Sequence, residues 1–158
     1  MSRTGIGYDS HRLVEGRPLI LAGQLIPSGR GLAGHSDADA VAHALTDAIL
    51  GAAGAGDIGR LFPDTDARWR DADSLGLLRA ACGHVRLLGF RPVQGDITVI
   101  LESPRLAPHI EAMRAALAQA LDLPPSDLGI KAKSNEGMGF IGRGEGIAVL
   151  AVATVEAI

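Results

Sequence analysis

Apolar residues recur with a helical period in three stretches of the chain and with a strand period in most of the rest. Val41, Leu45, Ala48, Ile49 and Ala52 fall on one face of a 3.6-residue repeat, which predicts a helix starting near Asp37. Ser36 stands where an N-cap belongs, and Asp39, three residues on, gives an acidic variant of the capping box. Gly54 and Gly56 end that helix. A second helix is predicted over 73–88, stopped by Gly89, and a third over 104–121, opened by Ser103 and Pro104. Strands are expected over 3–9, opening at Gly7, and over 93–101 and Leu128 to Ser134. Leu19 to Ala22 and Gln24 to Ile26 form a hairpin about Gly23. Gly146 to Val155 is almost continuously apolar, as in a strand buried on both faces. Residues 27–34 and 56–67 are rich in turn formers and are expected as loops. The order of elements predicts an α+β fold in one domain over residues 1–158, with a mixed sheet of four main strands, helices packed on one face and a small hairpin.

Composition narrows the function. Aromatic residues make up only 3% of the 158, so stacking platforms for single-stranded nucleic acid are not available. The net charge is −3 and no long basic run occurs, which leaves nucleic acid without an electrostatic footprint. No apolar run approaches the ~18 residues of a membrane span. Residues 1–20 carry Asp9, Arg12, Glu15 and Arg17, unlike a secretory signal. Cys82 is the sole cysteine, so an internal disulfide is excluded and a cytoplasmic setting is the expectation.

Two segments carry metal-binding chemistry. In Gly7-Tyr8-Asp9-Ser10-His11, an extended backbone puts Asp9 and His11 on one side, because side chains alternate with period two. His43 lies inside the apolar helical pattern, so it is either a buried histidine with a partner or a ligand. Asp47, four residues later on the same helix face, is the expected partner for its second ring nitrogen. Asp9, His11 and His43 together would make a two-histidine, one-carboxylate centre with an open position, the form of catalytic zinc. Periodicity alone does not bring the strand and the helix together.

Two further segments suit phosphate. His35 and Ser36 precede the first helix, where free N–H groups attract anions, although on these residues alone plain N-capping is the better explanation. Residues 131–146, KAKSNEGMGFIGRGEG, combine lysines, glycines, Ser134, Glu136 and Arg143; they suit either a charged turn between strands or a diphosphate site with a hard-cation ligand at Glu136. No Walker sequence is present, which argues against a P-loop kinase.

DSH at 9–11, HSDADAVAHALTDAILGAAGAGDIGRLFPDTD at 35–66 and KAKSNEGMGFIGRGEGIA at 131–148 occur in the order and spacing of one family. The chain resembles the 2-C-methyl-D-erythritol 2,4-cyclodiphosphate synthases from about residue 3 to residue 155. The resemblance implies a homotrimer with active sites at subunit interfaces. It implies a lyase reaction that cyclises 4-diphosphocytidyl-2-C-methyl-D-erythritol 2-phosphate and releases CMP, in the non-mevalonate isoprenoid pathway. Asp9, His11 and His43 match the zinc ligands (zinc or another divalent transition metal), with Ser10 beside them. Glu136 matches the ligand of a magnesium or manganese ion that bridges the diphosphate. His35 and Ser36 match a phosphate-holding segment, with His35 and Ser134 stabilising the transition state. Asp57, Ile58 and Gly59 match a loop that binds ribose and methylerythritol hydroxyls, continued by Phe62, Pro63, Asp64, Thr65 and Asp66. Leu101, Glu102, Ser103, Pro104, Arg105, Leu106 and Ala107 match the segment around the cytosine. Lys133, Ser134 and Asn135 match the stretch at the diphosphate, and Phe140 and Arg143 lie near the site and a threefold cavity that could take an isoprenoid diphosphate. Lys133 and Ser134 stand where other members carry threonines, and Arg105 where lysine is common, so donors are kept.

Overall fold

The computed structural model describes residues 1–158. Five strands form one mixed sheet in the order β4 (Arg30–Leu32), β1 (Ser2–Glu15), β7 (Gly146–Ala157), β5 (Phe90–Ile100), β6 (Leu128–Lys133). Only β5 and β6 run parallel, joined through the helix α4 (Ile110–Leu121); the other pairs are antiparallel. A separate hairpin pairs β2 (Leu19–Leu21) with β3 (Gln24–Ile26) around Gly23, as expected. The α+β architecture agrees with the sequence, but the sheet has a fifth strand. Leu32 pairs with Leu13 because β1 does not open at Gly7; it runs on as far as Glu15.

Two glycines of β1, Gly5 and Gly7, govern how the helix α1 (Ala40–Ala53) seats on this sheet. A Cβ on Gly7 would run into the Ala44 carbonyl oxygen of α1 and lie 2.8 Å from the Ala48 nitrogen. The missing side chain is what lets helix and strand backbones touch. Leu45, Ile49 and Leu50 of α1 are fully buried there, each contributing roughly 1.5–3 kcal/mol by its removal from water. The helix α3 (Ser74–Leu87) packs beside α1, and α4 beside α3.

Several predicted boundaries move. Ser36 is not the N-cap of α1: Asp39 is, and its carboxylate accepts from the Ala42 N–H at 3.0 Å. Asp39 wins because it is wholly buried and also receives the N–H groups of Ala22 and Gly23, at 2.8 and 2.7 Å. The short side chain of Ser36 instead accepts from the Ala38 N–H. The third long helix begins at Ile110 rather than 104, after a 3-10 turn over Ala107–His109. The loop at 56–67 contains one helical turn, α2 (Ile58–Leu61), capped by Asp57. A further turn, α5 (Gly139–Gly142), precedes β7. Within the single chain β7 is not buried on both faces: Val149 and Ala151 are covered, whereas Leu150 and Val152 are 39% and 40% exposed. Helices cover only one side of the sheet, so alternate side chains of β7 face outward.

Candidate metal centre and active site

The seating of α1 on β1 brings the two metal-binding segments together. Asp9 and His11 share the helix-facing side of β1, and His43 reaches them from the first half of α1. The Nε2 atom of His11 lies 2.9 Å from Asp9 Oδ2, and the Nδ1 atom of His43 lies 3.4 Å from the same oxygen. The three ligand atoms fall within 4.8 Å of one another. Ligands held at 2.0–2.1 Å around a tetrahedral zinc are about 3.3 Å apart, so the cluster is close to the size one cation needs.

Hydrogen bonding gives an independent test of fit. His11 Nδ1 lies 2.7 Å from the Ala33 carbonyl, which can only accept, so Nδ1 carries the proton and Nε2 is a bare lone pair. That lone pair faces a carboxylate oxygen. Asp9 Oδ2 and His11 Nε2 are both buried, and neither has a hydrogen-bond donor. Two facing acceptors require a cation or a proton between them, and the donor set of two imidazoles and one carboxylate is one that divalent transition metals accept. Without metal, a proton takes that role. Burial would push the Asp9 carboxyl up, yet the adjacent imidazoles of His11 and His43 hold it below its ordinary value. The hydrogen bond to Asp9 raises His11, against the opposing effect of burial.

The second-nitrogen partner of His43 is not Asp47. The Nε2 atom of His43 lies 2.8 Å from Ser74 Oγ, at the start of α3. Asp47 instead accepts the Ile58 N–H at 2.7 Å and so pins α2 to α1. Burial raises the Asp47 carboxyl, opposed by that same hydrogen bond. The spacing from His43 to Asp47 was right for a shared helix face; the ring turns toward α3.

A cleft of about 410 Å³ opens beside the metal cluster. His11, His35, Ser36 and His43 line one part, and Ile58, Gly59, Phe62, Pro63, Asp64 and Asp66 another. These predicted site residues therefore meet. Ser10 does not join them, because alternation on β1 turns it to the opposite, exposed face. The loop carrying His35 is gripped by Arg17, whose guanidinium donates to the carbonyls of Gly34 and Ser36 at 3.1 and 2.8 Å. Trp69, Arg70, Asp71 and Leu77 also line the cleft, and the sequence reading missed them, as it did Ser74 and Arg17. The run of charged and aromatic residues directly after PDTD was the one available signal for the first three.

Residues 101–107 and 133–136 form a second group where the chain leaves β5 and β6, across β7 from β1. Phe140 packs at Gly146, the first residue of β7. Asp57 and Thr65 stand beside the cleft-lining residues in the chain without lining the cleft themselves. The chain segments that leave β5 and β6 are tied together: the Leu101 N–H donates to the Lys133 carbonyl at 2.9 Å, and Glu102 accepts the N–H groups of Asn135 and Gly137. None of residues 101–107 or 133–143 lines the cleft. Lys133, Ser134 and Glu136 are exposed, Phe140 is 40% exposed, and Arg143 pairs with Glu145 at 2.7 Å. Glu136 has a φ of 53°, a left-handed conformation that glycine would adopt more easily.

Known proteins share about half of this sequence and the same fold. A profile of the YgbB family matches residues 2–156. The 2-C-methyl-D-erythritol 2,4-cyclodiphosphate synthase of Salinibacter ruber is 54% identical over 154 residues, covering 98% of each chain. Its namesake from Laribacter hongkongensis is 57% identical over 154 residues, covering 98% of this chain and 95% of that one. A solved 2C-methyl-D-erythritol-2,4-cyclodiphosphate synthase in a CDP-bound form superposes with a TM-score of 0.91 at 45% identity, covering 98% of this chain and 100% of the other. The bifunctional IspDF of Campylobacter jejuni gives a TM-score of 0.95 at 47% identity; this chain is wholly covered and spans 43% of that longer one. A profile match over nearly every residue, with relatives more than half identical from end to end, places the chain in the YgbB family.

Proposed function

We propose that this single-domain protein is a 2-C-methyl-D-erythritol 2,4-cyclodiphosphate synthase, which converts 4-diphosphocytidyl-2-C-methyl-D-erythritol 2-phosphate to the cyclic diphosphate and CMP. The observation that carries the reading is the Asp9, His11 and His43 cluster, with two orphaned buried acceptors, opening into a cleft lined by the 35–36 and 58–66 segments.

The chemistry is an internal phosphoryl transfer. An oxygen of the 2-phosphate bonds to the β-phosphorus of the CDP group, the β-phosphorus bond to the bridging oxygen breaks, and CMP leaves with that electron pair. No protein nucleophile is needed, so positioning and charge neutralisation dominate. A zinc ion held by Asp9, His11 and His43, and a magnesium or manganese ion held by Glu136, would supply Lewis-acid stabilisation of the phosphate charge. His35 donates to the phosphate oxygens as charge grows on them, and Ser134 does so from the other segment. Ser36, Lys133 and Asn135 hold phosphates; Asp57, Ile58 and Gly59 order the hydroxyls of the ribose and the polyol. Phe62, Pro63, Asp64, Thr65 and Asp66 continue that wall, and residues 101–107 enclose the cytosine.

Residues 101–107 and 133–136 lie outside the cleft beside the metal cluster, which supports a site completed by a second copy of the chain. Ile6 and Tyr8 of β1 are 70% and 54% exposed, and they pair across the strands with Val152 and Leu150, also exposed. An apolar strip of this kind on the uncovered sheet face supports a homotrimer with interfacial sites. Phe140 and Arg143 would then border a central cavity able to take an isoprenoid diphosphate.

The test is a phosphorus NMR assay of purified protein with the CDP substrate. After chelation no CMP should form; zinc plus magnesium should restore CMP and the cyclic product together. A linear bisphosphate product, or no CMP in any metal condition, would refute the reading.

A further inference from the structure

We infer that Ser74, braced by Asp37, is a positioning residue that holds His43 with its ring proton on Nε2 and its Nδ1 lone pair turned to the cation site. The inference rests on the metal reading above. It starts from the buried hydroxyl of Ser74, the first residue of α3.

Asp37 collects three donors. Its Oδ2 accepts the Ser74 N–H at 2.9 Å, and its Oδ1 accepts the Asp39 N–H at 3.1 Å and the Ser74 hydroxyl. An ionised carboxylate only accepts, so the single hydroxyl proton of Ser74 is committed to Asp37. What Ser74 Oγ then offers His43 Nε2, 2.8 Å away, is a lone pair. His43 Nε2 must be the donor, and a neutral imidazole has one proton to give. Nδ1 is therefore bare, and it is the nitrogen that faces Asp9 Oδ2 at 3.4 Å. The carboxylate pulls on the hydroxyl proton and makes Ser74 Oγ a better acceptor than an isolated serine would be.

The two histidines are thus pinned from behind in opposite senses. His11 is held at Nδ1 by the Ala33 carbonyl and presents Nε2; His43 is held at Nε2 and presents Nδ1. The Ala33 anchor is a backbone group that no substitution of its own side chain removes. The Ser74 anchor is a side chain, and it links the ligand to α3 and to the 36–39 turn. Outer partners of metal-bound histidines are typically worth roughly 10–100-fold in metal affinity.

The experiment compares wild type with Ser74→Ala at pH 8, by long-range nitrogen–proton NMR of the imidazoles in metal-free protein and by zinc affinity against a competing chelator. The expected result is a pure Nε2–H form of His43 in wild type, a mixture of tautomers in Ser74→Ala, and zinc binding weakened roughly 10–100-fold. A merely structural serine would lower the melting temperature and leave the tautomer alone. An unchanged tautomer with unchanged zinc affinity in Ser74→Ala overturns the inference while the metal reading stands. Failure of wild type to bind zinc overturns both. If Ser74→Ala does not fold, Ser74→Cys keeps a similar volume with a much weaker acceptor, and the same two readouts decide.

Discussion

Asp39 offers the sharpest quantitative test of how the site is held in place. Its buried carboxylate joins the β2–β3 turn to the start of α1, four residues before His43. Oδ1 takes the N–H groups of Ala22 and Ala42, and Oδ2 takes that of Gly23. In Asp39→Asn the amide oxygen can keep two donors, but the new NH2 group meets the Gly23 N–H. A lost hydrogen bond with an unsatisfied donor destabilises by about 1–3 kcal/mol. A second effect opposes it. Burial pushes the Asp39 carboxyl from 3.8 up to about 6, against the three N–H donors that favour its charge. A folded pKa raised above the unfolded one favours the folded state below the unfolded value, and that contribution is lost as pH rises through the folded value. The full difference, roughly two units, is about 3 kcal/mol, and about 2 kcal/mol of it falls between pH 4.5 and 7.5. Asparagine does not ionise in this range, so the variant escapes that loss. Asp39→Asn should therefore be clearly less stable than wild type at pH 4.5, with the gap closing by about 2 kcal/mol by pH 7.5. Urea unfolding followed by the fluorescence of Trp69, the sole tryptophan, at one protein concentration and with chelator present, measures this. A gap that stays constant or widens with pH would refute the reasoning, because it would mean the three N–H groups outweigh burial.

Two further substitutions probe the site from either side of β7. Gly7→Ala drives a methyl group into the α1 backbone, and overpacking there should cost about 1–3 kcal/mol, read as a lower melting temperature. The same variant should bind zinc more weakly, since α1 carries His43 away from Asp9; wild-type affinity in a folded Gly7→Ala protein would separate helix seating from metal binding. Glu136→Gly relieves a left-handed non-glycine conformation, so stability should stay within about 1 kcal/mol of wild type while CMP release falls at least tenfold. Undiminished release in that variant would remove the Glu136 carboxylate from the reaction.

Local signals in the sequence carried the elements but not their meeting. The α1 periodicity, the hairpin at Gly23 and the alternation at Asp9 and His11 were legible because each depends on neighbours in the chain. Whether His43 would reach Asp9 depended on Gly7 as a contact point, and in the sequence Gly7 read as the place where a strand opens. The position that lets two backbones touch and the position that breaks a strand are the same residue type, and only the packing decides between them. The N-cap went to Ser36 rather than Asp39 for a similar reason. Both side chains can cap, and the N–H groups that select Asp39 come from the turn at Ala22 and Gly23. The misassigned partner of His43 follows the same rule. Asp47 was reachable along the helix, whereas Ser74 lies thirty-one residues away and is brought to the ring by the packing of α3 on α1. Where a ligand is held by a residue of its own element, its spacing reveals the partner. Where the fold supplies the partner, as at His43, chemistry can say that a partner must exist and only the tertiary structure can say which residue it is.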